Sequence, residues 1–140
     1  MMKPELSIRR YDPAHDWSDL CRIHDAARRQ ELEASVGTKA FRPLEAVAES
    51  EGLFDDELHV GCVAGQMVGF VAFNQSELTW LYVDPAVQRY GIGRQLTRFA
   101  ILASNQAMTA EVLVGNSGAL SLYLSEGFRE TEIRSGHLQG

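Results

Sequence analysis

The spacing of hydrophobic positions changes several times along the chain, and each change marks an element. From Leu6 to Tyr11 the stretch LSIRRY alternates apolar and polar residues, the period of two of a strand with one buried face. Asp12-Pro13 then supplies an N-cap followed by proline at a first helical position, and Ala14, Trp17, Leu20, Ile23 and Ala27 recur every three or four residues. This spacing predicts an amphipathic helix with Asp16, Asp19, Arg22, Asp25, Arg28 and Arg29 on the solvent side. A polar stretch containing Gly37 leads to a short second helix, about Pro43 to Ser50, with Leu44, Val47 and Ala48 inward.

From Glu57 the period returns to that of strands. LHVGCVA and MVGFVAF flank Gly65-Gln66, a hairpin whose turn has glycine first, as a type II′ turn prefers. Asn74-Gln75-Ser76 makes a second tight connection into ELTWLYV, which is apolar on both faces and therefore belongs at the sheet centre. A glycine-bearing loop precedes a helix from Arg94 to about Ser104, with Leu96, Phe99, Ala100 and Ala103 inward. AEVLV reads as a strand, Asn116 as the cap of a helix through Glu126, Gly127 as its stop, and Phe128 to about Arg134 as a final strand. The order β-α-α-β-β-β-α-β-α-β is that of an α/β protein with a mixed sheet, antiparallel in the middle and joined by crossovers at its end.

Composition narrows the function classes. A chain of 140 residues fits one domain and can bury a core without disulfides or metals. Its net charge of −6 argues against general nucleic-acid binding, which needs a basic footprint. No apolar run has signal-peptide or membrane-spanning length, so a cytoplasmic protein without membrane attachment is expected. Cys21 and Cys62 stand far apart, outside any C-x-x-C pair, and read as core thiols. His15, His24, His59 and His137 lack ligand spacing, and no metal is expected.

The candidate chemistry lies in VDPAVQRYGIGRQL, from Val83 to Leu96. Two glycines at the mouth of a helix cost stability unless something approaches the backbone there. A helix N-terminus offers unpaired N–H groups and partial positive charge, which suits phosphate. The dinucleotide fingerprint fails because Leu96 stands where its third glycine belongs, and the P-loop fails because no lysine-serine or lysine-threonine pair follows. The spacing Q/R-x-x-G-x-G/A after a central strand is met by Gln88, Arg89, Tyr90, Gly91, Ile92 and Gly93. A second pattern, N-x-x-A-x-x-x-Y-x-x-x-G-F, is met by Asn116, Ala119, Tyr123, Gly127 and Phe128. In both motifs, and in element order from Leu6 to Arg134, the sequence resembles the GNAT superfamily of acetyl-CoA-dependent N-acetyltransferases.

The resemblance implies a single GNAT-like domain over residues 1–140 in which the central strand splays from the strand that follows it. It implies acetyl-CoA as co-substrate. Backbone N–H groups from Arg89 to Arg94 would hold the pyrophosphate, with Gln88 near it and the Arg94 side chain available to the phosphates. The pantetheine arm would pair with the main chain of Leu81, Tyr82 and Val83 as an added strand. Asn116 would contact the coenzyme as well as cap its helix. Tyr123 would point its hydroxyl at the coenzyme sulfur as general acid, and Glu77 takes the offset of the family's general-base glutamate. On the residues alone, Tyr123 also reads as a core aromatic and Glu77 as a solvated charge at a strand end, with water relaying the proton.

The family usually adds a seventh strand, hairpinned onto the sixth. Only six residues follow Arg134, so that strand is expected to be missing, and the unpaired C-terminal edge invites a second copy of the chain as a homodimer. The resemblance implies a small-molecule or protein amine as acceptor, whose identity the motifs leave open. The alternative reading is a non-catalytic GNAT-like module that binds acetyl-CoA or a partner.

Overall fold

A computed structural model describes residues 5–104, 106–112 and 116–131. Five strands lie in sequence order: β1 (Ser7–Arg10), β2 (Glu57–Val63), β3 (Gln66–Phe73), β4 (Glu77–Val83) and β5 (Thr109–Ala110). Neighbours are antiparallel except β4 and β5, which run parallel. Helices α1 (Trp17–Glu33) and α2 (Leu44–Val47) cover one face, where Leu20, Ile23, Leu44 and Val47 pack on Val60, Phe70 and Trp80. Helices α3 (Ile92–Ser104) and α4 (Ser117–Ser125) cover the other, where Ile92, Leu96, Ala100 and Tyr123 meet Val68, Val71, Phe73 and Leu78. Among the described residues no helix is long and apolar enough to cross a membrane.

Several local expectations change. Helix α1 starts at Trp17, because Asp12 closes a turn instead: its Oδ1 accepts from Ala14 N at 2.9 Å and its carbonyl from Asp16 N at 2.9 Å. Ala14 is consequently exposed, whereas Asp16 is buried, its carboxylate held by two Arg9 bonds of 2.7 and 2.9 Å. The hairpin turn is Ala64-Gly65, one residue earlier than expected. Both residues have positive φ, 51° and 80°, and Val63 pairs with Gln66, as in a type I′ turn. The second connection forms as expected, with Asn74 Oδ1 accepting from Ser76 N and Glu77 N, both at 2.9 Å.

Helix α3 reaches two residues further back than its apolar pattern suggests, so Gly93 sits in its first turn. Its inward face carries Ile92, Thr97 and Ser104 as well as Leu96 and Ala100, while Ala103 is exposed. The helix rests on bare backbone. A Cβ at Gly69 would stand 2.9 Å from Tyr82 O and 3.1 Å from Leu96, and one at the cross-strand partner Gly61 would stand 3.3 Å from Leu96.

Of AEVLV, only Ala110 is assigned to β5, and part of that stretch lies outside the described residues. Asn116 caps α4 as expected, its Oδ1 accepting from Ala119 N at 3.3 Å. Gly127, at φ 98°, ends that helix. The expected final strand is not formed over Phe128 to Thr131, because Phe128 N turns back to Tyr123 O at 3.0 Å. Its remainder lies outside the described residues, and so do the expectations of an absent seventh strand and of a dimer edge.

Candidate active site

The described β4–β5 ladder is short. Among the described residues it consists of Glu77↔Thr109 and Leu78↔Ala110, while β4 remains paired with β3 as far as Val83. Leu81, Tyr82 and Val83 therefore lie beyond the last of these described pairs. Tyr123 packs there, buried in a cluster with Leu81 and Val83 of β4 and with Ala110 and Val112 beside them, its ring 5.2 Å from Phe128. Burial, with the charge of Glu31, pushes its phenol well above the usual tyrosine range, so it stays protonated at neutral pH.

Past Val83 the chain is braced before it enters α3. Asp84 N donates to Val68 O at 2.8 Å, Asp84 Oδ1 accepts from Ala86 N at 3.0 Å, and Asp84 Oδ2 accepts from Arg22 of α1 at 2.9 Å. Gln88, Arg89 and Tyr90 complete a 3-10 turn, Pro85–Tyr90, and Gly91 leaves it at φ 77°, a left-handed conformation that suits glycine. Gln88 and Tyr90 are exposed and share a hollow of about 470 Å³ with Gln30 of α1. Ile92 is buried and anchors the start of α3, whose first N–H groups have no intrahelical acceptor.

Gly93 has a structural reason as well. A Cβ there would lie 3.2 Å from Leu122 of α4 and 3.5 Å from Val83 of β4. Arg94 also turns to α4: its Nη2 donates to Ser125 Oγ at 3.2 Å and its Nε lies 3.3 Å from Glu126. Glu126, buried to 5 % side-chain exposure, is held from the other side by Arg98. The two helices are thus locked where the loop begins.

Glu77 is half-buried at the paired end of β4, away from the loop. Strict alternation, which would align Glu77, Thr79 and Leu81 on one face, is broken. The register steps from Ala72↔Trp80 to Phe73↔Leu78, leaving Thr79 as the extra residue, with its hydroxyl 2.7 Å from Asp56 and 3.0 Å from Ala72 O. Leu78 consequently joins the same core cluster as Leu81. Burial raises the Glu77 carboxyl above its usual range, and the charges of Glu111 and Asp56 push it further the same way.

The pattern of α1 concealed a third group. His24 and Arg28 continue the inward row from Leu20 at four-residue steps, and both are buried, Arg28 to 8 % exposure, although arginine there reads as surface. Arg28 pairs with Glu31, and Glu31 accepts from Asn116 Nδ2 at 2.8 Å, joining α1 to the cap of α4. Among the described residues, Arg28 Nε and one oxygen of Glu51 are buried without a partner. Tyr82, its ring 4.9 Å from His24, lies within the fields of Glu31, Arg28, Tyr123 and Glu51, and its phenol is raised chiefly by burial. The signal for these residues was a polar side chain in a row that otherwise belongs to the core.

Among the described residues no group of three His, Cys, Asp or Glu side chains is placed to hold a metal ion. Cys21 is partly buried, and burial raises its thiol to about 11, which leaves it unreactive at neutral pH.

The family model of the acetyltransferase (GNAT) domain matches residues 47–130. N-alpha-acetyltransferase RimI of Mycobacterium tuberculosis is 34% identical over 122 residues, covering 79% of this chain and 76% of that protein. The ribosomal-protein-alanine N-acetyltransferase of Brucella melitensis superposes with a TM-score of 0.70 at 26% identity, over 90% of this chain and 86% of that one. The PaiA N-acetyltransferase of Thermoplasma acidophilum, solved in complex with coenzyme A, shares the fold at a TM-score of 0.74 and 16% identity, covering 93% of each chain. A family match over more than half of the chain and a relative this similar over most of its length establish that the chain belongs to the GNAT acetyltransferases.

Proposed function

We propose that the protein, with residues 1–140 acting as one domain, transfers the acetyl group of acetyl-CoA to the α-amine of a polypeptide N-terminus by direct attack. The observation that supports this reading is the end of the described β4–β5 pairing at Leu78↔Ala110, bordered by the start of α3 and by Tyr123. The relatives named for N-alpha and ribosomal-protein-alanine acetylation support the acceptor class.

The residues present fit the coenzyme. Gly91 and Gly93 bring main chain without side-chain bulk to an anion-friendly helix N-terminus. The main chain of Leu81, Tyr82 and Val83 lies where the described pairing with β5 has ended, and it takes the pantetheine arm as an added strand. When bound, the thioester supplies an activated acyl group. Backbone N–H groups from Arg89 to Arg94 would hold its phosphates, with Gln88 near them, and Asn116 would border the arm from the cap of α4.

Proton handling falls to two residues. Glu77 accepts the proton that the acceptor ammonium sheds so that its neutral amine can attack, and its raised carboxyl makes it a better acceptor than an ordinary glutamate. Tyr123, protonated throughout the neutral range, donates to the departing sulfur. An α-amine, with an ordinary pKa of about 7.7–8.0, asks much less of a carboxylate base than a lysine at about 10.4.

Incubation with acetyl-CoA and a peptide carrying both a free N-terminus and a lysine, followed by fragmentation mass spectrometry, tests the reading. Acetyl on the N-terminal residue, with stoichiometric release of coenzyme A, is the expected outcome. Acetyl on lysine alone refutes the acceptor class. Coenzyme binding without release, across peptides and small amines, favours the non-catalytic module.

A further inference from the structure

A groove of about 660 Å³ opens between the β1–α1 turn and the α2 region, at the N-terminal end of α1, whereas the contacts with Tyr82 and Asn116 come from residues further along that helix. Its floor is aromatic: Tyr11 and Trp17 each place a ring centroid 5.9 Å from that of Phe54, and Phe54 is 48% exposed. Its wall carries Glu45 and Glu49, both exposed, four residues apart, and without an ion-pair partner among the described residues. Aromatic faces and two unneutralised carboxylates suit one chemistry, an ammonium or guanidinium on an apolar stem. The stem covers the rings while the charged head relieves the repulsion between the glutamates.

We infer that this groove is an acceptor-docking site that takes a lysine or arginine side chain of the polypeptide downstream of the amine to be acetylated. The inference rests on the acceptor being a polypeptide. Distance within α1 sets the register. Trp17 and Arg28 are eleven positions apart in one helix, which at 1.5 Å per residue is about 16 Å. Extended chain at roughly 3.3 Å per residue covers that span in about five residues. A basic residue near the fifth or sixth position of the acceptor therefore reaches the groove from an N-terminus held near the Arg28 end of α1.

The full-length protein is titrated with a six-residue peptide, acetylated at its N-terminus and carrying lysine at position six, and with the same peptide carrying glutamine. The indole N–H signals of Trp17 and Trp80 are followed by NMR. Because the blocked peptide cannot be acetylated, this arm reads docking whether or not the enzyme transfers to α-amines. The lysine peptide is expected to shift the Trp17 signal and leave buried Trp80 unmoved, and the glutamine peptide is expected to do neither. The shift is expected to vanish in E45Q/E49Q and to weaken in Phe54→Leu. Equal shifts with both peptides, no shift at all, or a shift surviving E45Q/E49Q overturns the inference. A butylammonium salt that shifts Trp17 as strongly as the peptide makes the groove a small-cation site and overturns the polypeptide assignment. With unblocked peptides, kcat/KM is expected to be about five- to tenfold higher for lysine than for glutamine, a preference carried in KM and lost in E45Q/E49Q. A preference that survives in the variant refutes docking at this groove.

Discussion

Replacing Tyr123 by phenylalanine separates packing from chemistry, because the two roles forecast different results for one missing oxygen. The ring is held by its contact with Phe128, at 5.2 Å, and by the cluster of Leu81, Val83, Ala110 and Val112. Phenylalanine keeps these contacts, and among the described residues the hydroxyl makes no hydrogen bond, so stability is expected to change by less than about 0.5 kcal/mol. The rate is a different matter. Burial and the nearby Glu31 charge raise the phenol above its ordinary value of about 10, whereas an ordinary thiol lies near 8.5. Complete proton transfer to the sulfur is then uphill by at least about 1.5 pKa units, or roughly 2 kcal/mol. The hydroxyl is most effective as a donor whose proton is partly transferred as the carbon–sulfur bond breaks, and its loss is expected to cost about 10²-fold in kcat, near 2.7 kcal/mol. Pre-steady-state release of coenzyme A isolates that step, and thermal melting checks the fold. Coenzyme affinity is expected to hold, since the interaction strengthens only in the transition state. The same raised phenol predicts no basic limb from Tyr123 below pH 10 in the wild-type profile. Wild-type turnover in a folded Tyr123→Phe protein, with bond breaking shown to be rate-limiting, refutes the assignment.

For Glu77 the sign of the pH effect is set by its raised carboxyl. A base must be ionised, so kcat/KM of the wild type should show an acid limb above the ordinary glutamate value; in Glu77→Gln that limb should vanish and turnover at neutral pH should fall by about 10²–10⁴-fold. Because a raised carboxyl gives stability that is lost as pH climbs through its folded pKa, the same variant is expected to melt no lower than wild type at pH 7, and a drop in melting temperature would mark a structural role instead. At the hairpin, Ala64 adopts φ 51° beside Gly65 at φ 80°. Ala64→Gly relieves that left-handed strain but adds unfolded-state entropy, so it is expected to raise stability by no more than about 1 kcal/mol in urea denaturation, whereas Ala64→Val is expected to lower it.

The parts of this protein legible in its sequence are those specified by contiguous residues. Asp84-Pro85 and the glycines that follow act within one loop, so turn chemistry suffices to mark the bend and the helix that opens after it. Asn116, Tyr123 and Gly127 are likewise read within one helix. The misplacements have equally local causes. Two alternating runs around VAGQ do not say which pair turns, and the register Val63↔Gln66 puts the bend at Ala64-Gly65, which type I′ geometry favours. The bulge at Thr79 depends on a hydroxyl meeting Asp56 from across the sheet, a contact no periodicity records. Arg28, Glu31 and Glu51 escaped for a further reason. They approach Tyr82 only when α1 and the turn after α2 dock on the sheet, so their charges read as a solvated helix face until packing is known.

Packing also changes what the glycine motif means. On the sequence, Gly93 is bare so that a ligand can approach; in the fold, the space its Cβ would fill is bounded by Leu122 of α4 and Val83 of β4. Arg94 and Arg98 then close on Glu126, which is buried at the end of the same helix. The two sequence motifs are therefore one mechanical unit: the helix that carries Tyr123 is seated on the helix whose first turn opens the loop. Removing Cβ at position 93 lets that seat form, and the seat fixes how far Tyr123 stands from the end of the β4–β5 ladder. A bulky residue at Gly93 perturbs Tyr123 along with any phosphate contact, which is why substitution of Tyr123 itself, and not of the glycine, isolates the chemistry.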